Sequence, residues 1–81
     1  MANKFQEVFP NGCFVRAMRD GEMWAGIVTT HTSDMQGRAN GLIVRFSDGS
    51  SDEFSYSLID LNNPSNSLVV YQFNGGIENN V

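Results

Sequence analysis

Cys13-Phe14-Val15-Arg16-Ala17-Met18, then Arg19-Asp20-Gly21-Glu22, then Met23-Trp24-Ala25-Gly26-Ile27-Val28: residues 13–28 read as strand, turn and strand. The arrangement recurs in Gly41-Leu42-Ile43-Val44-Arg45-Phe46, Ser47-Asp48-Gly49-Ser50 and Ser51 to Tyr56. Asp-Gly between runs of β-branched and aromatic residues signals a hairpin, because the tight turn needs positive φ and these residues tolerate it. Two such hairpins in 81 residues predict a small all-β barrel.

Outward from the hairpins, the pattern predicts five strands. The first covers about Cys13 to Met18, with Val15 and Ala17 on the core face and Phe14, Arg16 and Met18 on the other. The second runs from Met23 to Thr32, and Gly26 within it predicts a bulge or sharp bend. Ser33 to Asn40 is polar and aperiodic and reads as a mobile loop. Leu42 to Phe46 and Asp52 to Tyr56 form strands three and four. Ser57 to Leu61 is too short for an independent helix and reads as one helical turn capped by Ser57. Asn62 to Asn66 is a turn, and Leu68 to Phe73 is a fifth, central strand. Residues 1–12 form an N-terminal extension, 13–73 the barrel and 74–81 a Gly/Asn-rich flexible tail. In the extension, Phe5, Val8 and Phe9 mark one apolar face. It either covers an open end of the barrel or, together with Phe14, offers a homo-oligomer interface.

Composition narrows the class. A chain of 81 residues forms one domain and buries only about 60% of its unfolded surface, so its stability margin is thin. Cys13 is its only cysteine, which excludes an intrachain disulfide and fits a reducing compartment. No apolar run approaches the roughly 18 residues of a membrane span. The first residues lack the apolar stretch of a secretory signal, so a cytoplasmic protein without membrane contact is expected. Five Lys and Arg against nine Asp and Glu give a net charge of −4. Affinity for nucleic acid rests on clustered cations, so that partner is not expected; a protein or peptide partner, or a small cationic ligand, is.

The order of strands, with a single helical turn before the last, resembles an SH3-like barrel. The stretch from Cys13 to Leu61 resembles the Tudor family in particular. The matching elements are Val15-Arg16-Ala17, Asp20-Gly21, Met23 to Val28, Leu42 to Gly49 and Leu58-Ile59-Asp60-Leu61. Many Tudor domains hold methylated lysine or arginine in a cage of aromatic rings, whose faces compete well with water for a weakly hydrated cation. Position by position, the resemblance implies that Trp24, Phe46 and Phe54 line such a cage, with Asp48 as a rim carboxylate. Met18 stands where several members carry another aromatic, and Gly49 replaces the aromatic that often follows the turn Asp. The implied cage is therefore partial.

A narrower resemblance, through Val15-Arg16 and Trp24 to Val28, is to the small plasmid-borne dihydrofolate reductases insensitive to trimethoprim. Their Val-Gln-Ile-Tyr pore motif is missing around Asp52 to Tyr56, so that activity is not expected. Catalysis needs a positioned acid, base or nucleophile. His31 reads as a surface residue near the loop, and Cys13 as a small buried hydrophobe. Asp48, Asp52 and Glu53 lack the spacing of a calcium loop. The expectation is a non-enzymatic binding module without cofactor or metal. Its alternative is a self-associating structural or accessory protein of phage or mobile-element type.

Overall fold

The computed structural model describes residues 3–71. It holds one antiparallel sheet of five strands, little helix, and no helix long and apolar enough to cross a membrane. The strands are β1 (Phe14–Arg19), β2 (Glu22–Ser33), β3 (Ala39–Phe46), β4 (Ser51–Ser55) and β5 (Val69–Tyr71). Their order across the sheet is β4-β3-β2-β1-β5, which leaves β4 and β5 at the two edges. The proposed tail, and Gln72 and Phe73 of the fifth strand, lie outside the described residues.

The two Asp-Gly signals produce different turns. Arg19 pairs with Glu22 across a two-residue turn, with φ of 52° at Asp20 and 81° at Gly21. Two successive positive φ values are the requirement of a type I′ turn. In the second hairpin Phe46 and Ser50 close a three-residue turn, and Gly49 takes the positive φ of 90°.

β2 is twelve residues long because two register shifts, at Val28/Thr30 and Thr32/Ser33, let it bend while pairing with both β1 and β3. The bulge therefore lies near Thr29, not at Gly26. A different constraint holds Gly26: a Cβ there would lie 2.5 Å from Val44 Cγ1 and 2.9 Å from the Arg45 carbonyl oxygen. The glycine is a point of close approach, over which Phe46 and Val44 pack.

Val15, Ala17, Val28, Leu42, Val44, Phe46, Phe54, Ile59 and Val69 form the core, matching the alternation read for β1 and β3. Phe9 joins them at 2% exposure, so it is not available as an oligomer contact. The N-terminal segment reaches the core through a five-residue helix, α1 (Lys4–Val8), too short to persist alone. A capping box starts it: Asn3 Oδ1 accepts the Gln6 N–H at 2.8 Å, and Gln6 Oε1 accepts the Asn3 N–H at 3.2 Å. Phe5 stacks on Tyr56 with ring centroids 4.0 Å apart.

Three further expectations are corrected. Ser33 pairs with Ala39, so the ends of the stretch 33–40 belong to β2 and β3, and the loop expected there is confined to residues 34–38. There the Asp34 carboxylate accepts the N–H groups of Gln36 and Arg38, both at 2.9 Å, and ties the loop down. The helical turn after β4 is a 3-10 turn over Tyr56–Leu58, capped by Ser55 rather than Ser57. β5 is an edge strand, because among the described residues it pairs with β1 alone.

Candidate functional site

The site starts from β1. Val15, Ala17 and Arg19 share one face by alternation, and Ala17 faces Trp24 directly across the hairpin. Arg19 therefore emerges beside the indole at the Asp20-Gly21 turn. From the second hairpin, the Phe46 ring meets Trp24 in a T-shaped pair, centroids 6.5 Å apart. The Arg19 guanidinium carbon lies 5.0 Å from the Trp24 ring centre and 4.9 Å from that of Phe46. Asp48 completes the arrangement, with its Oδ2 3.1 Å from Arg19 Nη1.

Two rings and a carboxylate thus surround a cation that belongs to the same chain. Each cation–π contact contributes about 0.5–1 kcal/mol at a partly exposed position. The rigid planar guanidinium suits both ring faces and carboxylate, more than a lysine ammonium would. Together these contacts pin the tips of the two hairpins to each other. The Trp24 Nε1–H is shielded from solvent with no hydrogen-bond partner among the described residues.

Asp48 is itself oriented by Ser50, whose hydroxyl donates to Oδ1 at 2.6 Å and whose backbone N–H donates at 2.9 Å. The Ser50 hydroxyl bond, then its N–H, and more weakly the Arg19 guanidinium, hold this carboxyl below the ordinary aspartate value. A depressed folded-state pKa means that the ionised group stabilises the fold above the unfolded value, near 4, and that this support is lost as pH falls through the folded value. Asp48→Asn is therefore expected to lower the melting temperature at pH 7. Its deficit against the parent should shrink on acidification below about pH 4. Thermal melts at pH 7, 4 and 3 check this, and a deficit that stays constant would count against the linkage.

Not every residue implied by the resemblance reaches the ring pair. Phe54 lies opposite Leu42 in the core at 5% exposure, and Phe46, though only 3% exposed, still meets the Arg19 guanidinium over its ring. Met18 pairs with Met23 on the opposite face of the hairpin from Trp24. The ring pair is thus Trp24 and Phe46 with Asp48; Phe54 and Met18 stand apart. Arg19 was the residue missing from the sequence reading. Its signal was parity, since it lies two residues beyond Ala17 on the Trp24 face.

The polar residues weighed for catalysis are structurally committed. His31 Nε2 lies 2.6 Å from the Phe9 carbonyl oxygen, which accepts only, so Nε2 carries the proton. Nδ1 lies 2.6 Å from the Tyr56 hydroxyl and hydrogen-bonds to it, and burial raises the phenol pKa. His31 is a clip between the N-terminal segment, the sheet and the 3-10 turn, not a free surface residue. The Cys13 thiol is half-buried, and desolvation raises its pKa, which disfavours the nucleophilic thiolate.

A second concavity, about 420 Å³, opens on the other face of the sheet between Phe14, Ile27, Thr29, Arg45 and the Ser47–Gly49 turn. Phe14 at 42% and Ile27 at 39% exposure face each other across β1 and β2 in its floor.

Comparison with known proteins finds no matching family model, no matching curated protein and no matching solved structure.

Proposed function

We propose that the chain is a non-catalytic binding module, an SH3-like barrel of Tudor type. In this reading its Trp24–Phe46 ring pair and Asp48 receive a cationic group of a peptide or small ligand. Support for the barrel comes from the strand order, the bent twelve-residue β2 and the 3-10 turn between β4 and the last strand. Support for the ligand class comes from one observation: the chain's own guanidinium already sits against both rings and the carboxylate. A ligand bearing a guanidinium, methylated or not, exchanges with Arg19 in this scheme.

The exchange has a measurable consequence. Arg19→Ala removes a competitor that makes two cation–π contacts, together about 1–2 kcal/mol. Freed of it, the site should bind a dimethylarginine peptide roughly ten-fold more tightly than the parent does. Trp24 is the only tryptophan, so its fluorescence reads the event directly. If a folded Arg19→Ala protein shows no Trp24 response to millimolar methylated arginine or lysine peptides, the ring pair is only a clamp between hairpins and the reading fails.

The alternative, a self-associating accessory protein, rests on Phe14, which stays exposed while Phe9 is buried and Phe5 is stacked on Tyr56. Light scattering separates the two: a stable oligomer that Phe14→Asp dissolves favours assembly.

A further inference from the structure

We infer that the sheet face carrying Phe14 and Ile27 is a second binding site, of opposite polarity to the first, for an acidic peptide segment with an apolar side chain. The register places Phe14, Arg16 and Met18 of β1 on this face, with Ile27, Ala25 and Met23 opposite them on β2. Arg45 faces Ile27 from β3 and lines the groove. Its floor is therefore apolar, with Arg45 on its wall and Arg16 next to Phe14 along β1, opposite Ala25.

Both arginines are exposed, and neither makes an ion pair or side-chain hydrogen bond among the described residues. The other two arginines are already used: Arg19 by Asp48 and Arg38 by Asp34. In a chain of net charge −4, two unpaired cations around exposed aromatic and aliphatic side chains are a local reversal of the overall field. By register, the carboxylate on this face is Glu53, at the β4 edge opposite Ile43, and it pairs with neither arginine.

Charge complementarity selects the occupant. A second copy meeting this face through a two-fold axis brings the same patch against itself, four arginines against two glutamates. A polynucleotide needs more cations than two to outweigh repulsion from the acidic remainder. A short peptide meets both demands, its apolar side chain lying between Phe14 and Ile27 and its carboxylates reaching Arg16 and Arg45. Bidentate guanidinium–carboxylate pairing fixes its direction.

The test uses the full chain, isotope-labelled, titrated with an acetylated Glu-Leu-Phe-Asp amide and with its Lys-Leu-Phe-Lys counterpart. The acidic probe is expected to shift the amides of Phe14, Ile27 and Arg45, leave the Trp24 side-chain signal unmoved, and weaken in added salt. Arg45→Glu and Arg16→Glu should each reduce its affinity at least five-fold, whereas Arg38→Glu, remote from the groove, should not. Equal binding of both probes, or shifts elsewhere, overturns the inference. So does a concentration-dependent dimer through Phe14, preferred binding of an oligothymidylate, or movement of the groove signals when residues 72–81 are removed. The Trp24 signal separates this failure from failure of the cation site.

Discussion

Phe9→Ala is expected to destabilise the protein by about 3–5 kcal/mol, the cost of removing a buried phenylalanine from a packed core. For 81 residues the whole stability is about 4–12 kcal/mol, so this one substitution consumes a large share of it. Three local observations converge on the residue. Its side chain is 2% exposed and belongs to the core that also contains Ile59 and Val69. Its N–H donates to the Phe5 carbonyl at 2.8 Å, closing α1, and its carbonyl accepts from His31 at 2.6 Å. Truncating the ring therefore also loosens the N-terminal segment from His31 and Tyr56. Urea denaturation followed by Trp24 fluorescence measures the loss, and Phe9→Leu, which keeps most of the volume, should recover more than half of it. A shift worth less than about 1 kcal/mol would mean that the segment only lies against the sheet.

How far the chain could be read in advance depends on the range of each interaction. The hairpins were legible because turn chemistry and two-residue alternation are local: Asp20-Gly21, Val15/Ala17 and Leu42/Val44/Phe46 occupy the places their neighbours dictate. The role of Phe9 was only half legible, since an apolar residue near a terminus marks a need for burial without naming the surface that meets it. His31 was misread for a similar reason. Its partners, Phe9 and Tyr56, lie 22 and 25 residues away, and nothing near Thr30 or Thr32 encodes them.

The candidate site divides in the same way. Trp24, Phe46 and Asp48 were implied by the Tudor resemblance, and all three lie in or beside the two hairpin turns. Phe54 and Met18 were carried over by position, and strand parity then set them elsewhere: Phe54 with Leu42 in the core, Met18 with Met23 on the far face. Arg19 was hidden by its charge, because a cation beside a turn reads as solvated. Only the meeting of the two hairpin tips turns it into the partner of Trp24, Phe46 and Asp48. Composition favoured a cationic partner for an acidic chain, yet it could not say that one of the chain's own cations stands in that position.

Gly26→Ala tests the contact on which the meeting of those hairpins depends, and it should cost about 2–3 kcal/mol, towards the upper end for overpacking. The added methyl would meet Val44 Cγ1 at 2.5 Å and the Arg45 carbonyl oxygen at 2.9 Å. A side chain can rotate away from such a contact, but the carbonyl belongs to the β2–β3 ladder and moves only with the strand. Gly26 also faces Phe46 across that ladder, with the phenylalanine ring carbon 3.4 Å from where the methyl would sit. Relief of the clash therefore pushes Phe46 away from β2, lengthening its edge contact with Trp24 and its approach to Arg19. The variant should show two linked changes: a lower urea midpoint and an altered Trp24 emission in the folded baseline. At Gly21 the same substitution meets no atom within 4 Å and is opposed only by the positive φ of 81°. Its penalty is confined to the turn, about 1–2 kcal/mol, and the emission of its folded state should match the parent. If Gly26→Ala left Trp24 emission unchanged while destabilising the fold, Phe46 would not be the link between the sheet and the cation site. The ring pair would then be held by Arg19 and Asp48 alone.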